Sequence, residues 1–168
     1  MNTKKLVFLS LLTSLALIIS LIEQSLPLPL PIPGAKLGLS NVIILTTIVV
    51  FGYRAGIVVA LLKSLLLMLI TGSVTGFWYS FAGALLSSLV MSFAYRFFSN
   101  RLSLIGISEL GAVAHNFGQI AVAAFFLSNG GLFAYFPILN LIGLVTGFFV
   151  GLVANAISPH LTRVVHGS

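Results

Sequence analysis

Charge is scarce in this chain. Only 6% of its 168 residues are Asp, Glu, Lys or Arg, against about 25% in an ordinary soluble domain. Cysteine is absent, which excludes disulfides, thiolate metal sites and a cysteine nucleophile. Aspartate is absent too, and the two acids are Glu23 and Glu109. No Asp-rich element is there to hold magnesium diphosphate, and no His/Glu cluster has metal spacing, so neither metal nor cofactor is expected. A Gly-x-x-x-x-Gly-Lys-Ser/Thr phosphate loop is also missing, which excludes ATP hydrolysis by that route. His115, His160 and His166 are isolated, and no triad with an acid can be traced. We therefore expect a protein that is not an enzyme.

What is present is apolar. Hydrophobic residues make up 59% of the chain and the mean hydropathy is +1.20, values that indicate an integral membrane protein. A pI of 10.2 would suggest nucleic acid in a soluble protein. Here the excess of Lys and Arg reads as topogenic charge, with membrane lipid rather than nucleic acid as the surrounding partner. Lys4 and Lys5 precede the apolar run from Leu6 and no small-residue cleavage site follows, so the first span is expected to stay uncleaved.

Apolar segments long enough to approach a membrane crossing fall at 6–26, 37–52, 55–71, 76–95, 104–127 and 132–157. They are separated by turn chemistry at Gly52-Tyr53-Arg54, Gly72-Ser73, Ser99-Asn100-Arg101 and Ser128-Asn129-Gly130-Gly131. The expected fold is all-α: a bundle of six transmembrane helices, one domain over residues 1–168, with both ends cytoplasmic. In that orientation Lys4, Lys5, Arg54, Arg96, Arg101 and Arg163 lie inside, Lys36 alone lies outside, and Lys63 lies within the membrane. That is a strong positive-inside bias.

Three local features refine the picture. Gly143, Gly147 and Gly151 form a ridge of small residues that lets another helix backbone approach, either inside the bundle or at a partner interface. Residues 26–34 read LPLPLPIPG, an alternation that favours extended, polyproline-like chain. That outer loop either covers the bundle mouth or serves as a stiff connector. Finally, the second span rises only about 24 Å against a hydrocarbon core of about 30 Å. The shortfall is made up if Gly34–Gly38 dips below the outer surface, where irregular backbone is tolerated only when buried in protein or lining a cavity. Short segments interrupted by Gly or Pro point to transporter binding sites, and this one brings Lys36, Ser40 and Asn41 beside a pocket.

Lys63 stands nine residues into Ala55–Thr71, a stretch without an acid. An ammonium at that depth costs ~2.5–3.5 kcal/mol on insertion scales. It is compensated either by a carboxylate, for which Glu109 lies at matching depth, or by a polar cavity with an anionic guest. Glu23, near the outer end of the first span, is placed to serve Lys36. The fifth span adds His115, Asn116 and Gln119 within two turns. These bond helices together or, with Lys36 converging from the loop, orient a ligand.

The run Pro33-Gly-Ala-Lys-Leu-Gly-Leu-Ser-Asn41, with Phe51-Gly-Tyr-Arg-Ala-Gly56, Leu61-Leu-Lys63 through Gly72 and Gly111-Ala-Val-Ala-His115-Asn116-Phe-Gly-Gln119, carries a resemblance over most of the chain. It resembles the Gx transporter, or heptaprenyl diphosphate synthase component I, family, and more broadly the S components of energy-coupling factor vitamin transporters. That resemblance implies a six-helix S-component fold in a bacterial plasma membrane. It further implies a substrate bound near the outer face, a transmembrane coupling subunit and two cytoplasmic ATPases as partners. S components dock through an Ala-x-x-x-Ala face on the first helix, and Ser10-x-x-x-Ser14 is the nearest match here. The expected role is binding a small, partly apolar, anionic compound (a vitamin, quinone precursor or isoprenoid) through Lys36, Asn41, Lys63, His115, Asn116 and Gln119. The alternative is a membrane anchor for a prenyl diphosphate synthase in menaquinone biosynthesis.

Overall fold

The computed structural model describes residues 3–26 and 36–167, which form six α-helices, one 3₁₀ turn and, among the described residues, no strand. The helices are α1 (Thr3–Gln24), α2 (Asn41–Phe51), α3 (Tyr53–Thr71), α4 (Val74–Phe98), α5 (Leu104–Phe126) and α6 (Phe136–His166), with the 3₁₀ turn Gly130–Tyr135 leading into α6. Most of the proline-rich segment 26–34, read above as a cover or a connector, lies outside the described residues. Local chemistry sets the boundaries. Ser73 and Ser103 accept from Gly76 N and Gly106 N and so cap α4 and α5. Gly72, at φ +67°, closes α3 in a left-handed conformation that a side chain would strain.

Among the described residues, four segments are long and apolar enough to cross a membrane: Thr3–Gln24, Tyr53–Thr71, Val74–Phe98 and Gly130–Val165. The protein is thus an all-helical membrane protein. α5 has comparable length, but Glu109, His115, Asn116 and Gln119 dilute its apolar character. Lys4 Nζ donates to Val165 O at 3.3 Å, which puts the two ends of the bundle on one side.

α2 departs most from the expected 37–52 span. It is an 11-residue helix, about 16 Å of rise, and every residue from Asn41 to Ile48 is buried. A helix apolar on all sides belongs in the middle of a bundle, and α2 touches each of the other five α-helices. Because it sits inside protein, its shortness costs nothing in exposure to lipid. The residues before it, Lys36, Gly38 and Ser40, are buried non-helical backbone, as the irregular dip required.

The glycine ridge of α6 packs internally. A Cβ added at Gly151 would lie 2.5 Å from Ile105 Cα, and one at Gly147 would lie 3.2 Å from Glu109 Cα, so α6 rests on the backbone of α5. On the opposite side of α5, a Cβ on Gly118 would come 2.8 Å from Ala82 O of α4. Neither obstacle is a flexible side chain that could swing aside. Gly151→Ala should therefore cost ~1–3 kcal/mol of stability, read as a fall in thermal midpoint in detergent. Gly130→Ala, where no atom lies within 4 Å of the added carbon, should leave the midpoint unchanged.

Candidate functional site

The break between α1 and α2 is held by a carboxylate. Glu23, buried in the last turn of α1, accepts from the backbone N–H groups of Gly38 and Leu39, the latter at 3.3 Å. Gly38 adopts φ +79°, a turn that glycine makes without strain. One carboxylate thus satisfies two donors that the missing helix leaves unpaired. A third donor in the same stretch, Lys36 N, is accepted by Gln119 Oε1 of α5 at 3.2 Å. Gln119 Nε2 in turn lies 3.0 Å from His115 Nε2. The His115 ring lies flat against α4 where Gly83 leaves room, since a Cβ there would be 2.7 Å from its Cε1.

Two ammonium groups enter this polar layer. Lys63 is 2% exposed and donates to Ser40 Oγ at 2.9 Å, one residue before α2 begins. The acid that acts on it electrostatically is Glu23 of α1. Pairing with Glu109 is not what the structure forms: Glu109 sits half-buried on α5, where its backbone packs against Gly147. Depth alone matched the two residues, and depth does not fix which way a helix turns its side chains. Lys36 is 7% exposed, and its Nζ is buried with no hydrogen-bond partner among the described residues. Glu23 serves Lys36 as a nearby charge and not as a hydrogen-bonded partner, and the Gly38 and Leu39 amides share one oxygen of its carboxylate. Lys36 lies between helices; burial pushes its ammonium below the ordinary lysine value while the Glu23 charge pulls it back up.

Lys36 and Glu23 line a cavity of about 590 Å³ at the end of the bundle where α1, α3 and α5 finish and α4 begins. Ser73, Thr75 and Tyr79 of the α3–α4 corner supply hydroxyls, and Phe126 and Leu127 close one side. The volume suits a small organic guest. Sequence reasoning missed Ser73, Thr75 and Tyr79. The polar run Thr71-Gly-Ser-Val-Thr-Gly76 reads as a turn, and only the packing of α3 against both α1 and α4 makes it a cavity wall.

The structure therefore gathers Lys36, Lys63, His115 and Gln119 around Glu23. Asn41 stays at the edge of this group, its Nδ2 and the His115 ring both flanking Gly38, whereas Asn116 is turned away. Asn116 Nδ2 donates to Leu139 O at 2.8 Å and to Asn140 Oδ1 at 3.4 Å, so it ties α5 to α6. Asn41 borders a small gap with Ser108 and Thr146 between α2, α5 and α6, and its Oδ1 has no partner among the described residues. Ser10 and Ser14 lie on the exposed face of α1, where Ser14 Oγ bonds back to Ser10 O at 3.0 Å. No group of three or more potential metal ligands occurs among the described residues.

A family model described as heptaprenyl diphosphate synthase component I matches residues 12–157. No curated protein and no solved structure matches the chain.

Proposed function

The chain belongs to the heptaprenyl diphosphate synthase component I family, and from that premise we propose that it is a membrane-embedded binding subunit for a small, partly apolar anion. The observation that carries this reading is the excess of positive charge at the cavity. Two buried lysines share one buried glutamate, and that glutamate is already engaged by backbone amides. A buried ammonium without a counter-charge is costly, so the site is poised to accept an anion at Lys36. Lys63 supplies positive potential from below, and His115 and Gln119 hold the Lys36 backbone in place. Asn116 keeps α5 in register with α6.

In this reading the chain crosses a bacterial plasma membrane six times with both ends cytoplasmic, and the cavity opens outward. It acts without chemistry of its own, as an S component that hands its guest to a coupling subunit driven by two ATPases, with the exposed Ser10 and Ser14 face as the docking surface. The family description supports a second reading, in which the chain is the membrane partner of a prenyl diphosphate synthase. Co-purification from native membranes separates the two. ATPases and a coupling subunit support import, whereas a prenyl synthase alone supports anchoring.

The binding claim is tested by native mass spectrometry of the purified chain and by titration with pyrophosphate in nanodiscs. Lys36→Gln should weaken anion binding by at least ~10-fold, the equivalent of ~1.4 kcal/mol, without lowering the thermal midpoint. Unchanged affinity would remove Lys36 from the site.

A further inference from the structure

The polar cavity adjoins an apolar groove on the outside of the bundle. Phe126 lines both the 590 Å³ cavity and a 570 Å³ groove between α4 and α5. That groove is walled by Trp78, Ala82 and Leu86 on one side and by Gly118, Ala121 and Val122 on the other. Leu86 then belongs to a further apolar hollow of about 430 Å³, bounded by Val90, Leu110 and Phe117 and reaching Phe136 of α6. From Phe126 to Leu110 the path follows α5 for about 24 Å, most of the ~30 Å depth of a hydrocarbon core. Trp78, Phe125 and Phe126 of its lining are exposed, and its small residues Ala82, Gly118 and Ala121 lower its floor. No charged residue lines the groove or the hollow, and Lys36 lies in the adjoining cavity, its Nζ buried without a hydrogen-bond partner among the described residues.

We propose that the guest is an amphiphile with an anionic head and a long hydrocarbon tail, the head beside Lys36 in the cavity and the tail along the α4–α5 groove. This rests on the reading of the cavity as an anion site and adds where the rest of the molecule goes. It also fixes the route of entry. Such a guest arrives sideways from the lipid leaflet, passing Phe126, and need not cross water. A short, water-soluble anion would leave the groove unused. An ordinary phospholipid tail would fill the groove equally well, so the head group decides between a membrane lipid and a free amphiphile.

The test is a titration series on the full chain in nanodiscs with pyrophosphate, dimethylallyl diphosphate and farnesyl diphosphate, which share a head and differ in tail. Farnesyl diphosphate should bind at least ~10-fold more tightly than dimethylallyl diphosphate. Ala121→Trp, which fills the groove from a partly exposed position, should erase that difference while leaving pyrophosphate binding unchanged. Ala82→Phe does the same from the opposite wall if the first variant is poorly expressed. Equal affinity for all three probes, still lost in Lys36→Gln, overturns the tail groove and leaves the anion site standing. No binding of any probe overturns both. Displacement of farnesyl diphosphate by phosphatidic acid in the nanodisc identifies a membrane lipid as the guest and keeps the head-and-tail assignment. Tail-dependent binding that survives both groove substitutions overturns it.

Discussion

Glu23→Gln should destabilise the protein by ~3–5 kcal/mol, the usual cost of leaving buried charge uncompensated. For a chain of this size that corresponds to a fall in thermal midpoint on the order of 10 °C. The amide is chosen because its oxygen can still accept from Gly38 and Leu39, so the geometry of the break survives and only the charge is removed. With Glu23 ionised, the cluster of Lys36, Lys63 and Glu23 carries one net positive charge; the variant carries two. The second half of the expectation follows from the first. Pyrophosphate should stabilise Glu23→Gln more than the parent, because the anion now neutralises a larger excess, and by linkage its affinity should rise. Glu109→Gln is the control. Glu109 is half-buried and remote from this cluster, so its loss should fall within about 0.5 kcal/mol. Equal losses in the two variants would mean that Glu23 matters only as a hydrogen-bond acceptor or not at all.

The features legible in the sequence were those in which a polar or special residue interrupts apolar chain. Lys63, His115 and Gln119 stand out because hydrocarbon penalises them wherever they point, and all three are buried together. The shortfall of the second span marked residues 34–38 as irregular backbone, and of these the described residues 36–38 are non-helical, with Lys36 and Gly38 buried. The central position of α2 was not legible, because an apolar helix looks the same whether protein or lipid surrounds it. Pairings across the bundle were hidden for a related reason. Rise along a helix gives depth, and by depth Glu109 matched Lys63. The rotation of α5 was the missing quantity, and it turns Gln119 toward Lys36 while Glu109 faces elsewhere. The end of α6 was also underestimated. Pro159 breaks the ladder, yet the helix continues to His166. The missing N–H is the one that would bond Asn155 O, while the hydroxyls on either side bond other carbonyls, Ser158 Oγ to Ala154 O at 2.6 Å and Thr162 Oγ1 to Ser158 O at 2.8 Å.

Lys63→Met should have the opposite sign to Glu23→Gln. Methionine matches the length and flexibility of the lysine stem, so the space between α2 and α3 stays filled. What is lost is one hydrogen bond to Ser40 and one buried positive charge. The hydrogen bond is worth about 1.5–3 kcal/mol as a charged contact. The charge costs more than that when its neighbours already include a second ammonium and only one carboxylate. Removing it takes the cluster from net positive to neutral and leaves Glu23 with Lys36 as its counter-charge, and the expected result is a rise in the thermal midpoint. Pyrophosphate affinity should fall at least ~10-fold at the same time, because a neutral cluster no longer draws an anion to Lys36. Stability and binding thus move in opposite directions in one variant, which a residue serving only to pack the core would not do. The double variant Glu23→Gln/Lys63→Met restores the parent's single excess charge, and its midpoint should return most of the way to the parent value. If it stays as low as Glu23→Gln alone, the two charges do not compensate each other across α2, and the electropositive character of the cavity must come from Lys36 by itself.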